Sequence, residues 1–209
     1  MRKNMLLVIP LLLFLTTSCT AATNEPNNSG SSITIDGNSV INGNSPVVSA
    51  KTLVLENVPA GKTVKGQNQN IEIRGNVGDG ATIILEVQGS CHNCGAIKVN
   101  GIIGNNVTIN SSNSLIFGDA GKNLHAHAGN SVHGKEVESG SDINGGNSVD
   151  ISTVINSKIE AGNSVKGYCV ENSTVNAGNS VNFGSHAGSN NVTAGNSKSL
   201  GKPFASCSP

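Results

Sequence analysis

Residues 156–170 read NSKIEAGNSVKGYCV and residues 172–186 read NSTVNAGNSVNFGSH. Laid one over the other at a shift of 16, Ile159 meets Val175, Ala161 meets Ala177, Gly162 meets Gly178 and Val165 meets Val181. Within each copy the apolar residues alternate with polar ones over short runs bounded by Gly and Asn, which is the pattern of short strands. A unit of this length is too short for a helical repeat with its turn. It suits one coil of a parallel β-solenoid, in which equivalent residues stack about 4.8 Å apart.

The same unit extends in both directions. Gly-Asn-Ser starts at Gly129, Gly146, Gly162, Gly178 and Gly195, at spacings of 17, 16, 16 and 17, and also at Gly37 and Gly43. Val132, Val149, Val165 and Val181 share a slot that Lys198 then interrupts. Ile159, Val175 and Val192 share another, and Ala161, Ala177 and Ala194 a third. A weaker mark recurs at Asn156-Ser157, Asn172-Ser173 and Asn190-Asn191. Further back, IEIRGNVGDGATI from Ile71 matches IKVNGIIGNNVTI from Ile97 at an offset of 26, so an insertion is expected between them at GSCHNCG, residues 89–95. Residues 33–200 are thus expected to form an all-β parallel solenoid of about ten coils, each of about 16–17 residues, on the order of 50 Å long. Residues 201–209 would be a tail or cap. One coil buries too few aliphatic side chains to offset the entropy of ordering its backbone, so stability must come from stacking.

Composition agrees with that geometry. The 209 residues include 30 Asn and 26 Gly, but only five aromatic residues, and 12% are charged. Asn and Gly are poor helix formers, which excludes a helical bundle. Corners of a coil need positive φ, which these two residues tolerate. Stacked Asn side chains can also bond to one another from coil to coil. A core built on large aromatic anchors is not expected. The alternative of a disordered Asn/Gly-rich stalk has no need of aligned apolar slots. In repeat length and aliphatic laddering, and in nothing else, the chain resembles short-coil β-helix proteins such as bactofilins.

The beginning of the chain reads as an export signal. Arg2 and Lys3 precede an apolar run from Met5 to Leu15, too short for a membrane-spanning helix of about 20 residues. The run ends in Leu15-Thr16-Thr17-Ser18-Cys19, which resembles the lipobox of bacterial lipoproteins, although that family prefers Leu where Thr16 stands. The resemblance implies removal of residues 1–18 and acylation of Cys19. Cleavage after Ala21 or Ala22, with plain secretion, is the other reading. Residues 19–32 would be the lipidated Cys and a polar tether. A chain starting at Cys19 carries 11 basic and 13 acidic side chains with no basic stripe, so nucleic acid is not an expected partner.

The remaining cysteines and histidines are the candidates for chemistry. Cys91-His92-Asn93-Cys94 is a CxxC between two glycines, with a strand pattern rather than a helix after it, and this favours a disulfide over a redox dithiol. Cys169 and Cys207 could staple the tail to the body. His125-Ala126-His127 puts two imidazoles on one face of a strand. Joined to Cys91 and Cys94 they would make a four-ligand metal set, but solenoid geometry places the pairs on the order of 10 Å apart. No metal or other cofactor is therefore expected, and neither a nucleophile elbow nor a phosphate-binding loop is present. Glu136 and Glu138 are the closest acidic pair and read as a solvated face. The sequence points to a lipid-anchored envelope protein with a structural, adhesive or interaction role and no catalysis. Its partners would be the membrane and a glycan, a protein or a second copy. A self-assembling scaffold and a metal or thiol-redox module are the alternatives.

Overall fold

The structure, a computed structural model, describes residues 32–36, by their backbone, and 51–207, all of them strand, turn or irregular. The chain winds as a parallel β-solenoid. One sheet has nine strands, from Ser32–Asp36 to Asn191–Ala194, and a second has eleven, nine of them on a main path from Lys51–Leu55 to Ser197–Ser199 and two, Asp119–Ala120 and Lys202–Pro203, paired beside it. Every pairing is parallel. Among the described residues the stack has nine rungs, which at strand spacing span about 40 Å. Residues 37–50, with the Gly-Asn-Ser triplets at Gly37 and Gly43, lie outside the described residues, as do Cys19 and the export segment.

Register follows the repeat. Ile159 pairs with Val175 and Val175 with Val192. Val132, Val149, Val165 and Val181 form one column, closed by Lys198. The aliphatic side chains of both columns are buried, and each contributes about 1.5–3 kcal/mol on leaving water. A third line of pairing runs through Val58, Val77, Ile103 and Ala120, and the longer strands of later coils bend to continue it. The 26-residue coil keeps register: Ile71 pairs with Ile97 while the extra residues leave the stack between Glu86 and Ile97.

The corners differ from expectation in an informative way. None of the five Gly-Asn-Ser glycines between Gly129 and Gly195 is among the residues with positive φ. Their smallness has another cause: a Cβ at Gly146, Gly162, Gly178 or Gly195 would collide with the carbonyl oxygen of the corresponding glycine one coil earlier. Most of the positive φ values belong to a different corner, in a column formed by Gly61, Gly80, Asn106, Asn123, Gly140, Asn156, Asn172 and Gly188. At the end of that column the alignment shifts. Ser189 N donates to Asn172 Oδ1, and Asn191 pairs with Thr174, so Asn190 succeeds Ser173 rather than Asn172.

That shift exposes a buried polar ladder. Leu124 N donates to Ser141 Oγ, Ser141 N to Ser157 Oγ, Ser157 N to Ser173 Oγ, and Ser173 N to Asn190 Oδ1, at 3.0–3.3 Å. The three serines are buried, so each hydroxyl satisfies a backbone donor that water does not reach. Direct Asn-to-Asn side-chain bonds occur between Asn123 and Asn106 at 2.9 Å and between Asn196 and Asn179.

The interior also holds aromatic rings. Phe117, Gly134, Ile151, Gly167 and Phe183 occupy successive rungs of one column. Phe117 and Phe183 are buried, and each ring fills the space that the adjacent glycine leaves; a Cβ on Gly134 would lie 2.5 Å from Phe117 Cζ. A slim solenoid thus takes a Phe only where the next rung gives up its side chain.

Candidate functional site

The outer face of the nine-stranded sheet brings His125 and His127, singled out by sequence, together with ionisable and amide groups that were not. Alternation sends Ile109, Ala126, Ile143, Ile159 and Val175 inward, which leaves two outward columns. One runs Thr108, His125, Asp142, Lys158, Thr174 and the other Asn110, His127, Asn144, Glu160, Asn176. His125 and His127 therefore do share a face, with Ala126 buried between them.

Two shallow depressions follow these columns. One, of about 200 Å³, is lined by Asn110, His125, His127, Asp142, Asn144 and Glu160. The other, of about 390 Å³, has Asn144, Glu160 and Asn176 on one side and Gly146, Gly162 and Gly178 on the other. Asn144 and Glu160 belong to both, so they form one groove along the solenoid axis. Lys158 Nζ lies 3.1 Å from Glu160 Oε1 and 3.9 Å from Asp142 Oδ1. The Glu160 carboxylate beside it, then Asp142, hold the Lys158 ammonium above its usual pKa. Lys158, aided by the amides of Asn144 and Asn176, holds Glu160 below the usual carboxylate range. These groups are half-exposed and their interaction is screened, so they orient one another more than they stabilise the fold.

The cysteines lie elsewhere. Cys91 and Cys94 are joined in the loop that leaves the stack, with Cα atoms 5.7 Å apart, and Cys94 is buried. Gly89, Asn93 and Gly95 all have positive φ there, and Asn70 Nδ2 donates to Asn93 O at 3.0 Å, clamping the loop to the coil before it. The strand leading into this loop, Thr82–Glu86, is two rungs away from His125–Ala128. Among the described residues no three His, Cys, Asp or Glu side chains converge in a way that could hold a metal ion, so the four-ligand set of Cys91, Cys94, His125 and His127 does not assemble.

Cys169 and Cys207 are joined at the far end, again with Cα atoms 5.7 Å apart. Residues 200–207 form a strap across the last coils. Lys202 and Pro203 pair with Ser185 and His186, Phe204 N donates to His186 O at 2.8 Å, and Cys207 N donates to Glu171 Oε2 at 2.7 Å. Lys198, in the column of buried valines, reaches Val192 O at 3.2 Å. The sequence signalled the strap through Cys207 and Lys198. It gave no sign of Glu171, which receives the strap, because that role depends on where the tail lands.

Fold and site together define a class, the parallel β-solenoid with a polar, grooved face. No family model, curated protein or solved structure matches the chain.

Proposed function

We propose that the protein is an exported, lipid-anchored solenoid of the bacterial cell envelope that acts as a rigid structural or adhesive element without catalysis. The observation that carries this reading is the long polar face of the nine-stranded sheet, held in constant register by a continuous aliphatic core. A face of this kind suits repeated weak contacts rather than turnover.

Cysteine usage supports export independently of the leader. Four of the five cysteines pair in two disulfides, the bonding state of an oxidising compartment. The fifth, Cys19, stands where acylation would use it. Two or more acyl chains hold a protein stably at a membrane, at about 0.8 kcal/mol per buried methylene. Mass spectrometry of the mature N-terminus is the test. An acylated Cys19 as first residue is expected; an unmodified start at Ala22 or Thr23 overturns the anchor. Protease accessibility in intact cells then separates an adhesive role, with the face exposed, from a periplasmic scaffold.

A second reading, end-to-end assembly of copies, draws on one feature. The last strand of the nine-stranded sheet, Asn191–Ala194, carries no charge and has no further strand beside it among the described residues. The strap and Lys198 oppose this on the neighbouring sheet, as charges and prolines blunt an edge. Polymers in sedimentation of the leaderless chain would favour assembly, and a monomer at high concentration would exclude it.

A further inference from the structure

The groove on the nine-stranded sheet narrows the kind of ligand the polar face can take, an inference that rests on reading that face as the interacting one. It crosses five successive strands, from Thr108–Ser111 to Thr174–Ala177, and so extends about 20 Å along the axis. Its length runs across the strands, so a linear molecule in it meets a new side chain at each rung.

The lining chemistry is selective. Asn110, Asn144 and Asn176 each offer an amide that both donates and accepts. His127 adds an imidazole and Glu160 a carboxylate already oriented by Lys158, Asn144 and Asn176. All are planar groups with two polar edges, the shape that meets a pair of neighbouring hydroxyls. No large aliphatic or aromatic side chain lines either depression, so there is no pocket for a lipid tail or for the apolar anchors of a peptide. Asp142 and Glu160 outnumber the single Lys158, so a polyanion gains no attraction.

We infer that this groove binds a linear, uncharged oligosaccharide lying along the solenoid axis, with Asn144, Glu160 and Asn176 hydrogen-bonding its hydroxyls. Glycine at positions 146, 162 and 178 keeps one side of the channel low enough for the sugar rings to settle. Binding is multivalent along the chain, so affinity rises with the number of sugar units until the groove is filled.

Titration of the mature protein with maltotetraose, cellotetraose and chitotetraose, followed by calorimetry and by chemical-shift changes, tests this. Saturable binding of at least one tetrasaccharide is expected, tighter than its disaccharide. Asn144→Ala and Asn176→Ala should each weaken it at least tenfold, and Asp150→Asn, on the other sheet, should leave it unchanged. Circular dichroism and melting confirm that each variant is folded, and Asn144→Gln, which keeps the amide, should retain more binding than Asn144→Ala. No binding by any of the three sugars overturns the inference. So does binding indifferent to Asn144 and Asn176, or equally weakened by the Asp150 change. Acylation of Cys19 and exposure on cells are read separately, so a failed titration leaves the envelope role standing, and a soluble, unacylated protein that still binds the sugar fails only the anchor.

Discussion

The two halves of the solenoid reach the same fold by different means. Between Leu53 and Leu115 paired residues lie 18, 19 or 26 positions apart; between Leu115 and Val192 they lie 16 or 17 apart. The longer coils enclose Ile71, Ile73, Ile83, Leu85, Ile97, Ile103 and Ile109. The shorter ones are filled mainly by Val and Ala, with Ile143, Ile151 and Ile159, and take Phe183 only beside Gly167. Perimeter sets interior volume, and close packing tolerates neither a void nor an excess methylene. The halves differ in fastening as well. The first closes a short loop with Cys91 and Cys94; the second ties its last coils with a bond spanning 38 residues.

That contrast can be broken at its fastenings first. Cys207→Ser removes a cross-link whose loop-closure entropy is about 4 kcal/mol, whereas Cys91→Ser opens a much smaller loop worth roughly half as much. Thermal unfolding under oxidising conditions should show the Cys207 variant as the less stable of the two. Equal losses would mean that the strap contributes nothing beyond local closure.

Next come the two kinds of glycine. Gly162→Ala would drive a methyl into a backbone carbonyl that cannot rotate away, and a loss of about 3 kcal/mol is expected. Gly80→Ala meets no atom within 4 Å and suffers only the cost of its positive φ, about 1 kcal/mol. Denaturant titration of both separates close approach from conformational freedom, and a reversed order would contradict the packing described for the Gly-Asn-Ser corner.

The aromatic column offers a sharper probe. Gly134→Ala alone should cost about 2 kcal/mol, since all three of its nearest atoms belong to Phe117. In a Phe117→Leu background much of that cost should vanish, and the coupling is read from a double-mutant cycle. Strict additivity would show that Gly134 is needed for something other than the ring.

The smallest effect is electrostatic. Glu160 has a lowered pKa in the folded chain, so its contribution is present above the ordinary carboxylate pKa and lost as pH falls through its folded value. Lys158 has a raised one, so its contribution is present below the ordinary lysine pKa and lost as pH rises through its folded value. Melting of the native protein compared with Glu160→Gln should therefore show a slight native advantage at neutral pH that disappears in acid. A constant difference across that range would place the effect in packing instead.

How much of this was legible beforehand depends on what repeats. The Val132, Val149, Val165, Val181 column was readable because each member recurs at a fixed spacing with alternating neighbours, and parallel stacking converts spacing directly into contact. The site of the insertion before Ile97 was readable for the same reason. The cause of the Gly-Asn-Ser glycines was not, because left-handed backbone and close carbonyl approach both demand glycine and leave the same letter in the sequence. Ser157 and Ser173 stood out only as part of a weak repeat mark, and only the three-dimensional stack turns them into a buried ladder. The groove joins Asn144, Glu160 and Asn176, in a column whose residue type changes from rung to rung, so no repeat signal marked them. Phe117 opposite Gly134 escaped because a single large residue and a single small one form a pair only across coils.

The covalent link from Cys207 to Cys169 has a mechanical side. Parallel stacking places the first and last rungs at opposite ends of a rod, and a load drawn from the N-terminal end would strip one coil after another from the stack. Peeling would stop yielding length at residue 169, because the 38 positions from there to Cys207 are closed into a ring by a covalent bond that tension alone does not unfold. On the proposed N-terminal anchor, this covalent stop closes the end of the rod that lies away from the membrane.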